Sequence, residues 1–125
     1  MTVPTTDRPR SRAATASGLT RAEQRRIHRS LSELQSELDR QMTAAIATLQ
    51  ELREGFSLTD PDIQAPLMTA LHALDTAERA SIDVADALAR IASGTFGICP
   101  RCHGPIPVAR LELRPAGRYC VPCTR

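Results

Sequence analysis

Apolar positions recur at helical spacing along two long stretches of the chain. The first runs Ile27, Leu31, Leu34, Leu38, Met42, Ala45 or Ile46, Leu49 and Leu52, with Ser32, Glu33, Gln35, Ser36, Glu37 and Asp39 on the opposite face. Steps of three and four predict one long amphipathic helix. Thr20-Arg21-Ala22-Glu23 reads as a capping box, in which a hydroxyl and a carboxylate each accept the other residue's backbone N–H, so the helix should begin there and hold to about Glu54. Ile27, Leu38 and Leu49 are eleven residues apart, which predicts a seam that drifts from a strict heptad and a nearly straight helix. Gly55 ends the run, and Phe56 to Asp62 is turn material. The second helix should start near Asp60 to Asp62, with an acid as cap, Pro61 in the first turn and Pro66 close enough to the start to be tolerated. Its apolar positions, Leu67, Leu71, Leu74, Ala77 or Glu78, Ile82, Ala85, Leu88 and Ile91, lead to Ser93-Gly94, a natural C-cap. Two helices of roughly 30 to 35 residues, about 45 to 50 Å each, joined by a short connection, are expected to pack as an antiparallel hairpin.

Beyond Gly94 the periodicity gives way to two cysteine pairs. Cys99-Pro100-Arg101-Cys102 and Cys120-Val121-Pro122-Cys123 form a C-x2-C-x17-C-x2-C array that uses every cysteine of the protein. The gaps suit a zinc site, each pair holding one side of a tetrahedral ion. Pro100, Gly104 and Pro122 supply the turns that bend the backbone around both pairs. Two disulfides or a redox pair are the competing readings. The first needs an oxidising compartment and the second normally sits in a βαβ context, which a helical pattern does not provide. Four thiolates leave no open position for a substrate, so the single Zn2+ is expected to be structural. By the same count His103, beside Cys102, should face solvent rather than the metal.

Composition fits this division. The chain has 125 residues, 42% apolar but only 2% aromatic, which argues against a thick core and for a metal that staples a small module. The N-terminal eighteen residues, rich in Thr, Pro, Ser, Ala and Arg, have no periodicity and are expected to be a disordered basic tail rather than a secretory signal. The expected fold is therefore mainly α, with a tail 1–18, a coiled-coil hairpin 19–93 whose tip lies near 55–65, and a four-cysteine zinc-finger module 94–125. No stretch approaches the roughly 18 apolar residues of a membrane span, and reduced thiols fit a cytoplasmic location. All basic residues besides histidine are Arg and Ala is abundant, a bias that fits a GC-rich bacterial genome. The formal net charge of +2 hides a segregation. Both ends are basic, whereas residues 31–93 carry eleven acids against four arginines. The middle of the chain is therefore unsuited to lie along DNA.

Gly94-Thr95-Phe96-Gly97-Ile98-Cys99, then Ile106, Arg110-Leu111-Glu112 and Arg114-Pro115 ahead of the second pair, closely resemble the TraR/DksA family of bacterial transcription factors. The resemblance covers about the last thirty residues and includes the gap between the pairs; the hairpin agrees in order. It implies a protein that binds RNA polymerase rather than DNA, its coiled-coil tip entering the secondary channel and acting near the catalytic magnesium. The family's tip pattern, Asp-x-x-Asp-x-Ala, meets Asp60-Pro61-Asp62-Ile63-Gln64-Ala65. Asp60 and Ala65 match, while Ile63 stands at the second acid's place and Asp62 lies one residue early, about 100° away on a helix. Asp60 also reads as a plain helix cap. Of the basic residues by which family members respond to the alarmone (p)ppGpp, Arg114 matches, but Asp83 and Thr124 stand where Lys is found, so weak or absent sensing is expected. Arg114 reads equally as a structural residue of the zinc module.

Two other readings compete with a polymerase-binding monomer. A zinc ribbon could contact nucleic acid through Arg101, Arg110, Arg114, Arg118 and the tail, although aromatics are few beyond Tyr119. Alternatively, the hairpin could pair with another helix as a structural adaptor, perhaps as a dimer. No grouping suggests catalysis, and His28 and His72 read as isolated polar-face residues.

Overall fold

The computed structural model describes residues 18–124. The proposed disordered tail therefore lies, apart from Gly18, outside the described residues. Four α-helices follow in order, α1 (Arg21–Gly55), α2 (Gln64–Ser93), α3 (Val108–Leu113) and α4 (Val121–Thr124), with a 3-10 turn at Pro61–Ile63 ahead of α2. The fold is mainly helical, and an isolated β-bridge joins Ile98 to Pro105 in antiparallel sense.

The capping box closes as its sequence predicts. The Thr20 N–H donates to Glu23 Oε1 at 2.9 Å and the Glu23 N–H to Thr20 Oγ1 at 3.1 Å, satisfying two donors at the start of α1. Between α1 and α2, Asp60 Oδ1 accepts the Asp62 N–H at 2.9 Å and caps the 3-10 turn, with Pro61 at its first position. Gly94 terminates α2 at φ 81°, a left-handed conformation that glycine adopts without steric cost, and the N–H groups of Thr95 and Phe96 return to the Arg90 carbonyl.

The described residues divide into two compact units, 33–83 and the combination of 18–32 with 84–124. In Glu33–Asp83 the two helices meet along Leu38 and Ala45 on one side and Ile63, Ala70 and Ala77 on the other. These positions correct the register expected from sequence. Buried residues repeat every seven, as Leu31, Leu38, Ala45 along α1 and Ile63, Ala70, Ala77, Val84 from the 3-10 turn into α2, not every eleven. Leu34 and Leu71, expected on the buried stripe, are exposed, Ala45 rather than Ile46 takes the position between Met42 and Leu49, and Ile82 retains 68% of its surface. Ala85 is exposed too. The physical reason is side-chain size. Alanine at the centre of a seam lets two backbones approach closely, so Gln35, Met42 and Leu49 on α1 and Leu67 and Leu74 on α2 become half-buried flanks.

The other unit is built differently. Leu19, Ile27 and Leu31 from the start of α1 and Val84 and Ala87 from the end of α2 are buried, as are Phe96, Cys99, Ile106 and Leu111 from the segment that follows. Ile27 shares a small cleft with Leu111 and Pro115, and Arg26 closes a 3.0 Å ion pair with Glu112 beside it. Asp86 of α2 accepts from both Arg90, one turn along its own helix, and Arg118 of the C-terminal segment. The Arg118 guanidinium holds the Asp86 carboxyl below the usual carboxylate range; partial burial opposes this and Arg90 reinforces it. The same pair raises Arg118.

Candidate metal centre

The first cysteine pair sits on a tight backbone knuckle. The Cys99 N–H donates to the Gly104 carbonyl at 2.9 Å, the His103 N–H to Cys99 O at 2.8 Å and the Ile106 N–H to Gly97 O at 2.8 Å. Closing that turn puts His103 at φ 62°, a left-handed conformation uncommon for a residue with a Cβ. Its side chain is exposed, in line with a residue outside the ligand set. The second pair brackets the start of α4, where the Cys123 and Thr124 N–H groups and the Thr124 hydroxyl all converge on the Cys120 carbonyl. A turn in which the Gly117 N–H donates to Arg114 O leads into it; a Cβ on Gly117 would stand 3.1 Å from that carbonyl, closer than side chains normally approach.

These two substructures bring the sulfurs of Cys99, Cys102, Cys120 and Cys123 within 4.8 Å of one another. No disulfide links them. The Cys102 and Cys120 sulfurs stand 3.7 Å apart, far beyond a disulfide bond of about 2.05 Å and close to the roughly 3.8 Å edge of a tetrahedron with 2.3 Å metal–sulfur arms. The donor set therefore fits Zn2+. Its electrostatics agree. Burial raises the Cys99 thiol, but the backbone N–H groups of Cys102, Cys120 and Arg101 and the Cys102 side chain outweigh it and bring the value down to about 6. Cys123 is pushed up to about 12, first by hydrogen bonding to Cys120, then by burial and by Cys99 and Cys102. Four thiolates so close repel one another, and a divalent cation removes that repulsion. When bound, Zn2+ cross-links residues 99–102 to 120–123; the chain's own groups orient the sulfurs and shield Cys99 and Cys120 from water.

The arginines around the cluster are largely committed to it. Arg101 donates to Cys123 O at 3.1 Å and lies over the Tyr119 ring at 5.3 Å. Arg110 reaches Tyr119 O at 3.2 Å and Thr124 Oγ1 at 3.0 Å, and Arg118 is paired with Asp86. Of the four arginines that a nucleic-acid-binding ribbon would use, only Arg114 has a side chain without a partner among the described residues; its backbone N–H closes α3 on Arg110 O. The one tyrosine ring is covered as well.

At the hairpin turn the structure distributes the motif residues unevenly. Asp60 is half-buried and engaged as a cap, Asp62 and Ala65 are exposed, and Ile63 is 2% exposed in the seam. Two contributors escaped the sequence reading. The Gln64 amide donates to the carbonyls of Leu58 and Asp60 at 2.9 and 3.2 Å and so fixes the loop. Asp86, the double acceptor that joins α2 to the cysteine module, has its second partner 32 residues away, and no local pattern announces it. Asp83 is exposed.

Residues 94–125 match the description "Prokaryotic dksA/traR C4-type zinc finger". Over 83% of this chain and 81% of the other, the fold is similar to that of the transcription factor DksA2 from Pseudomonas aeruginosa, with a TM-score of 0.73 and 24% sequence identity, a likeness of fold. A protein of Aquifex aeolicus whose function is uncharacterized is 42% identical over 57 residues, 46% of this chain and 38% of that protein's length. Knuckle, sulfur cluster and matched segment coincide: residues 94–125 form a module of the prokaryotic DksA/TraR C4-type zinc-finger kind, built for one structural zinc.

Proposed function

We propose that this protein is a transcription regulator that binds RNA polymerase, its hairpin turn entering the secondary channel while the zinc module supports the helix ends. The observation that carries the reading is the joint presence of the C4 module and a fold similar to that of a DksA transcription factor. It acts by binding rather than catalysis, in the cytoplasm, as a monomer, and without sequence-specific contact to DNA. No described helix is long and apolar enough to cross a membrane.

The turn qualifies the mechanism. With Asp60 held as a cap and Ile63 in the seam, Asp62 is the acid left free to act in the channel, one helical step from the family position. The protein is therefore a polymerase binder with a weakened effect at the active site. Alarmone response is weak, because Asp83 repels polyphosphate and the Thr124 hydroxyl is spent on Cys120 O, leaving Arg114 alone. Co-purification with core polymerase and transcription in vitro test this, comparing wild type with Asp62→Ala and with Asp60→Asn, which keeps a cap but removes the charge. Absence of association by wild type overturns the reading.

A further inference from the structure

The start of α1 carries a row of arginines that the fold leaves unneutralised. Arg21, Arg25 and Arg29 follow one another at intervals of four, with His28 between the last two, so all four side chains lie within an arc of about 100°. None has a hydrogen-bond or ion-pair partner among the described residues. The carboxylates described in the same unit are already engaged. Glu23 closes the capping box, Glu112 pairs with Arg26, and Asp86 accepts from Arg90 and Arg118. The N-terminal end of a 35-residue helix adds its own partial positive charge.

Arg21, Arg25 and His28 of this row form one wall of a concavity of about 450 Å³ that Gln24 and the half-buried Ile91 of α2 also line. Basic walls around an apolar floor decide between anionic occupants. A phosphodiester backbone satisfies the arginines and leaves Ile91 uncovered, and neither Phe96, which is buried, nor Tyr119, which Arg101 covers, is free to stack on a base. An acidic protein surface that projects an aliphatic or aromatic side chain satisfies both.

We infer that the Arg21–Arg25–Ile91 concavity docks an acidic, partly apolar protein surface, a second anchor on the same partner that the hairpin turn engages. The inference rests on the polymerase reading. Charges of this kind steer association and fix register, and placing like charges opposite an acidic patch costs several kcal/mol, tenfold or more in affinity.

The test is binding of the full-length, zinc-loaded protein to core RNA polymerase at low and physiological salt, measured by fluorescence anisotropy. Arg21→Glu/Arg25→Glu is expected to weaken binding on the order of tenfold or more and to flatten its salt dependence, whereas Arg21→Lys/Arg25→Lys retains most of the affinity. Arg40→Glu/Arg79→Glu, an equal change of net charge placed in the other unit, is expected to change it less than about twofold. Wild-type association with an unchanged Arg21→Glu/Arg25→Glu variant overturns this inference alone, as does equal weakening by both charge reversals. Tight binding of wild type to a duplex DNA, lost in the same variant, overturns it in favour of a phosphate-backbone site. No association by wild type removes the inference together with the reading beneath it.

Discussion

The two units of this protein use opposite means of stability. Glu33–Asp83 has a seam of small and medium side chains, with Ile63, Ala70 and Ala77 opposed to Leu38 and Ala45, and a surface dominated by acids. The unit formed by both helix ends and residues 94–124 has large buried side chains, ion pairs that cross between segments and four cysteines grouped for a metal. Its short α3 and α4, six and four residues long, are below the length at which helices persist unaided in water. One unit needs closeness of backbones; the other needs cross-links.

The contrast is broken most forcefully by removing the metal. Chelation, or Cys99→Ala, is expected to remove stabilisation on the order of 10 kcal/mol from the cysteine module and unfold it. Amide hydrogen exchange followed by mass spectrometry should then show residues 94–124 losing protection while 38–77 keep theirs; simultaneous loss in both would refute independent stabilisation. Acid does the same more gently. With no metal bound the Cys99 thiol lies at about 6, below the ordinary thiol value near 8.5, so its thiolate is fully present above the ordinary value and is lost as pH falls through about 6; protons compete with Zn2+ for the sulfurs, and the apparent zinc affinity, read with a chromogenic chelator, should fall on acidification.

The second largest effect belongs to the seam. Ile63→Ala should cost roughly 2–4 kcal/mol by denaturant unfolding of the hairpin, and Ala70→Leu about 1–3 kcal/mol through overpacking. Ile82→Ser, on the stripe that an eleven-residue repeat would bury, should stay within about 0.5 kcal/mol. Equal costs at Ile63 and Ile82 would restore the other register.

Smaller again is the clamp on α2. Asp86→Asn is expected to cost about 1–2 kcal/mol, seen as loosened exchange at residues 84–96 and 115–119. Since Asp86 is held below the usual carboxylate range, its contribution is present above that range and fades as pH falls through its lowered value; the Asn variant should show less acid sensitivity than wild type.

Much of this was legible in the chain, and the omissions have one physical origin. The cysteine gaps, the Thr20–Glu23 box, Gly94 and the two helices are local signals, and each depends on residues within a few positions of one another. The register of the seam was only partly legible: Ala45 and Ala77 stood as alternatives to Ile46 and Glu78, but Ala70 carries little hydrophobicity and the eye follows Leu34, Leu71 and Ile82 instead. Burial there is decided by how closely backbones approach, which is a property of two helices at once. Asp86 was missed for a similar reason, since its Arg90 partner looks like an ordinary helical pair and only the fold supplies Arg118. Asp60 reads from sequence as both cap and tip acid, and in the structure its carboxylate caps the 3-10 turn.

The seven-residue spacing of the seam also makes hairpin length a quantised trait. Deleting or inserting one heptad in each helix, seven residues before Gly55 matched by seven after Gln64, carries every alanine onto an equivalent neighbour and changes the hairpin by about 10.5 Å. A change of four or five residues rotates the seam out of register. Evolution and engineering alike can therefore tune this hairpin in whole heptads, with the cysteine module left untouched.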